Sequence, residues 1–320
     1  TLTAPAGTYT ITATDGNSCT GTTTVTINEP AAIVAAATPT DALCNGANGS
    51  AALSATGGNS TYTFTSSGGT VSGSTLTAPA GTYTITATDG NSCTGTTTVT
   101  INEPAAIVAA ATATDALCNG ADGSAALSAT GGNSTYTFTS SGGTVAGSTL
   151  TAPAGTYTIT ATDGNSCTGT TTVTINEPAA IVAAATATDA LCNGADGSAA
   201  LSATGGNSTY TFTSSGGTVS GSTLTAPAGT YTITATDGNS CTGTTSVTIN
   251  EPAAVIAAAT ATDALCNGAD GSAALSATGG NSTYTFTSSG GTVSGSTLTA
   301  PAGTYTITAT DGNSCTGTTT

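Results

Sequence analysis

Nine cysteines are the residues of this 320-residue chain most able to do chemistry, and successive cysteines alternate at spacings of 25 and 49 residues. Zinc sites need clustered Cys or His, and the chain has no His, so metal binding by these cysteines is the weaker interpretation. A Ser or Cys nucleophile would lack its usual base, because Lys is absent too. The spacing therefore favours disulfides formed in an oxidising, extracellular setting and argues against catalysis.

All charged side chains of the sequence are acidic. Sixteen acidic residues and no Lys or Arg give a formal net charge of −16. Binding to phosphates or to anionic lipids requires cationic side chains, so we expect neither nucleic acid nor a membrane surface as a partner. No apolar run approaches the roughly 20 residues of a membrane span, so we expect no membrane insertion.

These residues belong to a repeat. The segment "TLTAPAGTYTITATDGNSCTG" starts at residues 1, 75, 149, 223 and 297, which gives a period of 74 residues. An enzyme needs only one set of catalytic residues. Near-identical copies indicate instead that the function depends on the length of the array. The chain begins and ends within the pattern, so we expect it to be part of a longer array.

Within each copy the hydrophobic period is two, which predicts strands. In "TYTITAT" (82–88), Tyr83, Ile85 and Ala87 share one face and threonines share the other. "TTTVTIN" (96–102), "TYTFT" (61–65) and "AALSA" (51–55) are further strands, with short pieces at 70–72 and 74–77. "IVAAATPTD" (33–41) is predicted to be an edge strand, because Pro39 has no N–H for a ladder.

Six or seven short strands in 74 residues predict an all-β fold, a tandem array of immunoglobulin-like β-sandwich domains forming an extended fibre. The segment "NEP" (28–30) and its copies end the last strand and are the natural joints. The predicted domains are therefore the end of one truncated repeat (1–29), three whole repeats (30–103, 104–177 and 178–251) and a C-terminally truncated repeat (252–320).

The segments "LCNGANGSAALSATGGNSTYTFT" and "LTAPAGTYTITATDGNSCTGTTTVTINEP" resemble the SprB-type repeat of surface adhesins from gliding Bacteroidota. The shared pattern runs C-N-G, a G-S strand, G-G before an aromatic strand, L-x-A-G-T-Y, and a final T-V-T-I-x-E-P. The resemblance covers every copy. It implies secretion to the cell surface and a role in adhesion or gliding motility, without catalysis.

The cysteine pairing depends on whether each domain has six strands or seven. With seven, the first and last strands run parallel, so the two cysteines of one domain lie at opposite ends and a bridge must cross to the next repeat. The inter-repeat pairs are Cys44–Cys167, Cys118–Cys241 and Cys192–Cys315. With six strands, bridges within each repeat become natural. The in-repeat pairs are Cys44–Cys93, Cys118–Cys167, Cys192–Cys241 and Cys266–Cys315.

The acids recur near the domain ends, in the joint, the first loop and the last hairpin. Carboxylates that converge at a junction could bind Ca²⁺ and stiffen it, although Asp-Gly turns and solubility explain the same residues more simply. No cofactor is required. The predicted calcium ligands are Glu103, Asp122, Asp163, Glu177, Asp196 and Asp237.

The repeat also offers surface chemistry. The sequon Asn59-Ser60-Thr61 and its copies predict N-glycosylation sites at Asn59, Asn133, Asn207 and Asn281. The rows of outward threonines could bind glycans through multivalency. The sequence thus predicts a structural or adhesive surface fibre whose partners are neighbouring repeats, other copies of the fibre and surface ligands. The alternative is a multivalent glycan-binding array.

Overall fold

The computed structural model describes residues 1–320, and all of its regular elements are β-strands. No helix that could cross a membrane is present. We number the strands β1–β30 in chain order. The first partial repeat contains β1 (Gly7–Thr14) and β2 (Thr20–Ile27), an antiparallel hairpin.

Each following copy contains seven strands. Residues 30–103 form β3 (Val34–Thr40), β4 (Gly49–Thr56), β5 (Tyr62–Ser66), β6 (Thr70–Ser72), β7 (Thr75–Ala78), β8 (Gly81–Asp89) and β9 (Thr94–Ile101). Residues 104–177 form β10 (Val108–Thr114), β11 (Gly123–Thr130), β12 (Tyr136–Ser140), β13 (Thr144–Ala146), β14 (Thr149–Ala152), β15 (Gly155–Asp163) and β16 (Thr168–Ile175).

The same series continues to the end of the chain. Residues 178–251 form β17 (Val182–Thr188), β18 (Gly197–Thr204), β19 (Tyr210–Ser214), β20 (Thr218–Ser220), β21 (Thr223–Ala226), β22 (Gly229–Asp237) and β23 (Thr242–Ile249). Residues 252–320 form β24 (Ile256–Thr262), β25 (Gly271–Thr278), β26 (Tyr284–Ser288), β27 (Thr292–Ser294), β28 (Thr297–Ala300), β29 (Ile307–Asp311) and β30 (Thr316–Thr319).

The strand order is that of a constant-type immunoglobulin sandwich. In residues 30–103, one sheet has the order β3-β4-β7-β6 and the other has the order β5-β8-β9. Lettered A to G in chain order, these sheets are ABED and CFG. The predicted immunoglobulin-like all-β fold and its 74-residue repeat are confirmed. The sequence was compatible with either six or seven strands in each domain. The structure has seven, because the three-residue β6 pairs with β7.

Two local features support this assignment. Strand β3 lies at the edge of its sheet, as predicted, and Pro39 faces Ala51 of β4 there. Tyr83, at the start of β8, donates its hydroxyl to the Pro79 carbonyl at 2.9 Å. This contact is the tyrosine corner of immunoglobulin sandwiches, in which a Tyr of the sixth strand bonds to the backbone a few residues upstream.

The core of each sandwich is small and aliphatic. Around residues 30–103 it consists of Ala51, Leu53, Leu76, Ala78, Ile85, Val99 and Ile101. Ile85 lies two residues after the corner tyrosine, where antibody domains place a cysteine of the inter-sheet disulfide. The side chain of Ile85 is fully buried there. The cysteines of this chain therefore do not form that inter-sheet disulfide.

The chain has two compact units. The first comprises Thr1–Ala113, Ser124–Ala152 and Thr156–Thr174, and it includes the complete sandwich of residues 30–103. The second comprises Thr114–Gly123, Pro153–Gly155 and Ile175–Thr320, and it includes the complete sandwich of residues 178–251. The domain boundaries inferred from "NEP" stay predictions.

The last copy shows what the final strand contributes. In residues 178–251, Gly229–Thr236 of β22 pairs with β23 as far as Ile249. In the last copy, β30 offers only Thr316–Thr319, and β29 accordingly begins at Ile307 instead of at Gly303. The length of the sixth strand therefore depends on its pairing with the seventh.

We predict that Ile85→Ala destabilises the chain by about 2–5 kcal/mol, because it removes a fully buried side chain and leaves a cavity. Ile256, on the edge strand β24, is 65% exposed, so Ile256→Ala should cost less than about 0.5 kcal/mol. Denaturant unfolding of both variants measures the difference. Equal losses would contradict the assignment of the core.

Candidate functional site

Three disulfides link neighbouring copies of the repeat. The pairs are Cys44–Cys167, Cys118–Cys241 and Cys192–Cys315. In each pair the Cα atoms are 5.5 Å apart and the sequence separation is 123 residues. Cys19, Cys93 and Cys266 are unpaired and exposed.

The structure therefore contains none of the in-repeat pairs, which were Cys44–Cys93, Cys118–Cys167, Cys192–Cys241 and Cys266–Cys315. The reason is the odd number of strands. Cys44 lies in the loop after β3, and Cys93 lies in the hairpin between β8 and β9. With seven alternating strands these two connections lie at opposite ends of one sandwich, so each cysteine can meet a partner only in an adjacent copy.

The loop that carries Cys44 is fixed to the joint of its own repeat. Asp41 accepts hydrogen bonds from the backbone N–H of Asn102 at 2.8 Å and from its side-chain amide. The Asn45 amide donates to the Pro104 carbonyl at 3.2 Å, and Glu103 accepts from the Gly46 N–H. The joint residues "NEP" thus hold the cysteine loop in place as well as connecting two copies.

The partner cysteine lies in a hairpin organised by a buried aspartate. Asp163 is 5% exposed. One carboxylate oxygen accepts from the N–H groups of Asn165 and Cys167, each at 2.9 Å, and the other accepts from the Asn133 N–H at 3.1 Å. Gly132, at a φ of 54°, leaves room for this carboxylate. The aspartate therefore fixes the backbone of Cys167 directly.

The same arrangement recurs at Asp89, Asp237 and Asp311, which are also buried. At Asp163, burial raises the pKa of the carboxyl group, but hydrogen bonds from the N–H groups of Cys167, Asn133 and Asn165 favour the charged form and leave the pKa below its ordinary value. The ionised carboxylate is thus part of the folded hairpin.

Loop and hairpin meet around the disulfide. The Asn165 amide donates to the Leu43 carbonyl at 3.5 Å, and the Sγ atom of Cys167 lies 3.2 Å from the same carbonyl oxygen. Cys167 is 8% exposed, whereas Cys93, in the equivalent hairpin of the preceding copy, is exposed and unpaired. Contact with the loop of the preceding copy accounts for this difference.

A cleft of about 370 Å³ lies beside the Cys44–Cys167 bridge. Its walls come from the cysteine loop, the joint and the hairpin, and they carry no charged side chain. Because neither an acid nor a base lines it, the cleft has no groups for proton transfer.

The structure does not assemble the predicted calcium ligands. No group of three or more His, Cys, Asp or Glu residues lies in an arrangement that could hold a metal ion. Asp163 and Asp237 are surrounded by backbone N–H donors, and Glu103 and Glu177 each accept from a glycine N–H, which explains why they do not converge. Asp122 and Asp196 are exposed on loops.

The predicted glycosylation sites Asn59, Asn133, Asn207 and Asn281 lie on exposed loops before the third strand of each sandwich. The side-chain oxygen of Asn59 accepts from the N–H groups of Thr61 and Gly90, both at 3.2 Å. These asparagines thus belong to the turn next to the buried aspartate. Their modification stays a prediction.

Sequence reasoning missed the buried role of the hairpin aspartate. A signal was present in the segment Asp-Gly-Asn, which is typical of an Asx turn. In such a turn the aspartate side chain accepts a hydrogen bond from the N–H group two residues later. The pairing of Asp41 with Asn102, which lie 61 residues apart, had no local signal.

We predict that acid destabilises the chain through these aspartates. A lowered pKa contributes stability that is fully present above about pH 4, the pKa of Asp in an unfolded chain, and is lost as the pH falls through the lower folded-state pKa. Asp163→Asn should lower the melting temperature at pH 7 and make its acid dependence shallower. Thermal unfolding between pH 2 and pH 7 provides the measurement.

The matched control is Asp122→Asn, which reproduces the residue found naturally at Asn48 in another copy. Asp122 is exposed, so this variant should melt within about 1 °C of the parent chain at pH 7. Equal melting temperatures and acid profiles for the two variants would contradict the role assigned to Asp163.

Comparison with known proteins identifies the repeat. The model of the SprB repeat matches residues 36–71, 110–145, 184–219 and 258–293. Among curated protein sequences, none matches the chain.

Several solved structures are similar to the chain at low sequence identity. The N-terminal eight Ig domains of Down Syndrome Cell Adhesion Molecule are 14% identical, with a TM-score of 0.25, and the match covers 98% of this chain and 58% of that one. Domains 1–6 of surface layer protein SbsC are 17% identical, with a TM-score of 0.24, over 98% and 56% of the two chains.

The protocadherin GammaB4 extracellular domain is 14% identical, with a TM-score of 0.27, over 99% of this chain and 77% of the other. The four family matches recur at the 74-residue period found in the sequence. The chain therefore contains four tandem segments that match the SprB repeat.

Proposed function

We propose that the chain is an extracellular structural and adhesive fibre of a bacterial cell surface, stiffened by disulfides between its repeats. The observation that carries this proposal is the recurrent junction, in which one cysteine loop, one joint and one hairpin are joined covalently. Disulfides persist in oxidising surroundings, which supports an extracellular location. The SprB repeats support a role at the surface in adhesion or gliding motility.

The same residues support a non-catalytic role. The chain has no His, Lys or Arg, and the buried aspartates are occupied by backbone N–H groups. The clefts beside the bridges at Cys44 and Cys118 have no charged lining. Repetition at each junction supports a mechanical purpose for these residues, because a structural element is needed once per repeat.

We predict that antibodies against the repeat label intact cells of the source organism, and that cells lacking the array adhere less to solid surfaces. Trypsin provides a matched control in the labelling experiment, because the chain has no Lys or Arg for it to cleave. The labelled repeats, whether attached or released, should remain intact with trypsin and be degraded by proteinase K. Labelling that requires permeabilised cells would contradict the surface location.

A second function, multivalent glycan binding, is favoured by the threonine rows. In the β8–β9 pair, Thr82 faces Thr100 and Thr84 faces Thr98. The hydroxyl oxygens of Thr82 and Thr100 lie 2.9 Å apart, so the rows offer paired hydroxyls on the outer face. Hydroxyls so arranged can hydrogen-bond to sugars, with affinity gained through repetition.

We predict for this second function that the chain binds members of a glycan array and that Thr84→Val, with the equivalent changes at Thr158, Thr232 and Thr306, weakens binding at least tenfold. The change keeps the shape of the side chain and removes the hydroxyl. The matched control is Thr38→Val on the other sheet, with the equivalent changes at Thr112, Thr186 and Thr260. Absence of binding to any glycan would leave adhesion to depend on other surfaces of the fibre and would refute this second function.

A further inference from the structure

The three disulfides enclose overlapping segments of the chain. The bridge from Cys44 to Cys167 closes one loop, and the bridge from Cys118 to Cys241 begins inside that loop. The bridge that begins at Cys192 lies inside the second loop in the same way. The copies are thus linked by an interleaved series of bridges.

This overlap creates a short covalent route through the chain. Starting at Cys44, the route crosses to Cys167, follows the backbone to Cys192, and crosses to Cys315. Only about 25 backbone residues lie on it, or roughly 90 Å when fully extended. The backbone alone between Cys44 and Cys315 has about 270 residues, or roughly 900 Å.

Most of the backbone part of the route lies in two β-strands. Between Cys167 and Cys192 the chain forms β16 (Thr168–Ile175) and β17 (Val182–Thr188), with the joint at residues 176–178 between them. Strands rise about 3.3 Å per residue, close to the limit of about 3.6 Å for a stretched chain. Each of these strands can therefore lengthen only slightly under tension.

We propose that the bridges form a covalent strap that makes the array nearly inextensible: under tension the load passes along the short route, and no sandwich between Cys44 and Cys315 can release its length. Without bridges, an unfolding repeat of 74 residues would release roughly 220 Å. The strap deepens the proposed function, since it rests on the fibre carrying load at a surface. It would allow a repeat to unfold locally without lengthening the fibre.

The route distinguishes the bridges by position. Cys118–Cys241 is not on the shortest route between Cys44 and Cys315, so its loss leaves that route unchanged. Loss of Cys192–Cys315 forces the route through Cys118–Cys241 and lengthens it by about 100 residues, or roughly 340 Å.

The test is single-molecule stretching of the full chain, attached through peptide tags at its two ends after the exposed thiols have been alkylated. The parent chain, Cys118→Ser with Cys241→Ser, and Cys192→Ser with Cys315→Ser are compared without reductant and with dithiothreitol. The residues outside Cys44 and Cys315 contribute the same length to each chain, and contour length at high force is the readout.

The strap predicts equal contour lengths for the parent chain and the Cys118/Cys241 variant, an increase of roughly 340 Å for the Cys192/Cys315 variant, and an increase of roughly 800 Å for the parent chain after reduction. Long unfolding steps in the oxidised parent chain, or lengthening of the Cys118/Cys241 variant, would overturn it. Either result would leave surface labelling and adhesion unaffected, so failure of the strap and failure of the proposed function are distinguishable.

Discussion

An odd number of strands is the constraint on which the junctions depend. Seven alternating strands place the loop after the first strand at one end of a sandwich and the last hairpin at the other. The two cysteines of a repeat are therefore separated by the length of their own domain, and each can bond only to a neighbouring copy. The joint must cross the same junction, so Asn102, Glu103 and Pro104 lie where they can hold the loop of Cys44.

The composition of the core explains why these bridges are useful. Each sandwich buries a few alanines, leucines, isoleucines and valines, and a domain of this size gains little stability from burial alone. On the chain-entropy model, a bridge closing a loop of 123 residues stabilises the folded chain by about 5 kcal/mol. The buried aspartates add to this by fixing the hairpin backbone so that Cys167 faces the preceding loop.

Much of the fold could be predicted because it follows from local patterns. Alternation in "TYTITAT" assigned Ile85 and Ala87 to the core, and Pro39 placed its strand at a sheet edge. The sequence did not decide between inter-repeat and in-repeat disulfides. The choice depends on whether Thr70–Ser72 forms a strand, and three residues are too few to show a hydrophobic period.

The carboxylates were harder to predict, because a hydrogen bond between distant segments has no period at all. The sequence placed Asp163 in a turn but did not show that Asn133, 30 residues earlier, donates to it. The expected convergence of acids failed for this reason. Their partners are backbone N–H groups, and these partners depend on how loops from separate strands meet.

The most direct test of the inter-repeat pairing is a count of free thiols in the purified, unreduced and denatured chain. The structure predicts three per chain, at Cys19, Cys93 and Cys266. The peptide carrying Cys266 is recognisable by Val255-Ile256, and the peptide carrying Cys44 by Pro39 and Asn48, so alkylation and mass spectrometry can assign them. Alkylated Cys266 with protected Cys44 is the predicted result. A single free thiol per chain, with Cys266 protected, would indicate bridges within repeats and contradict the account.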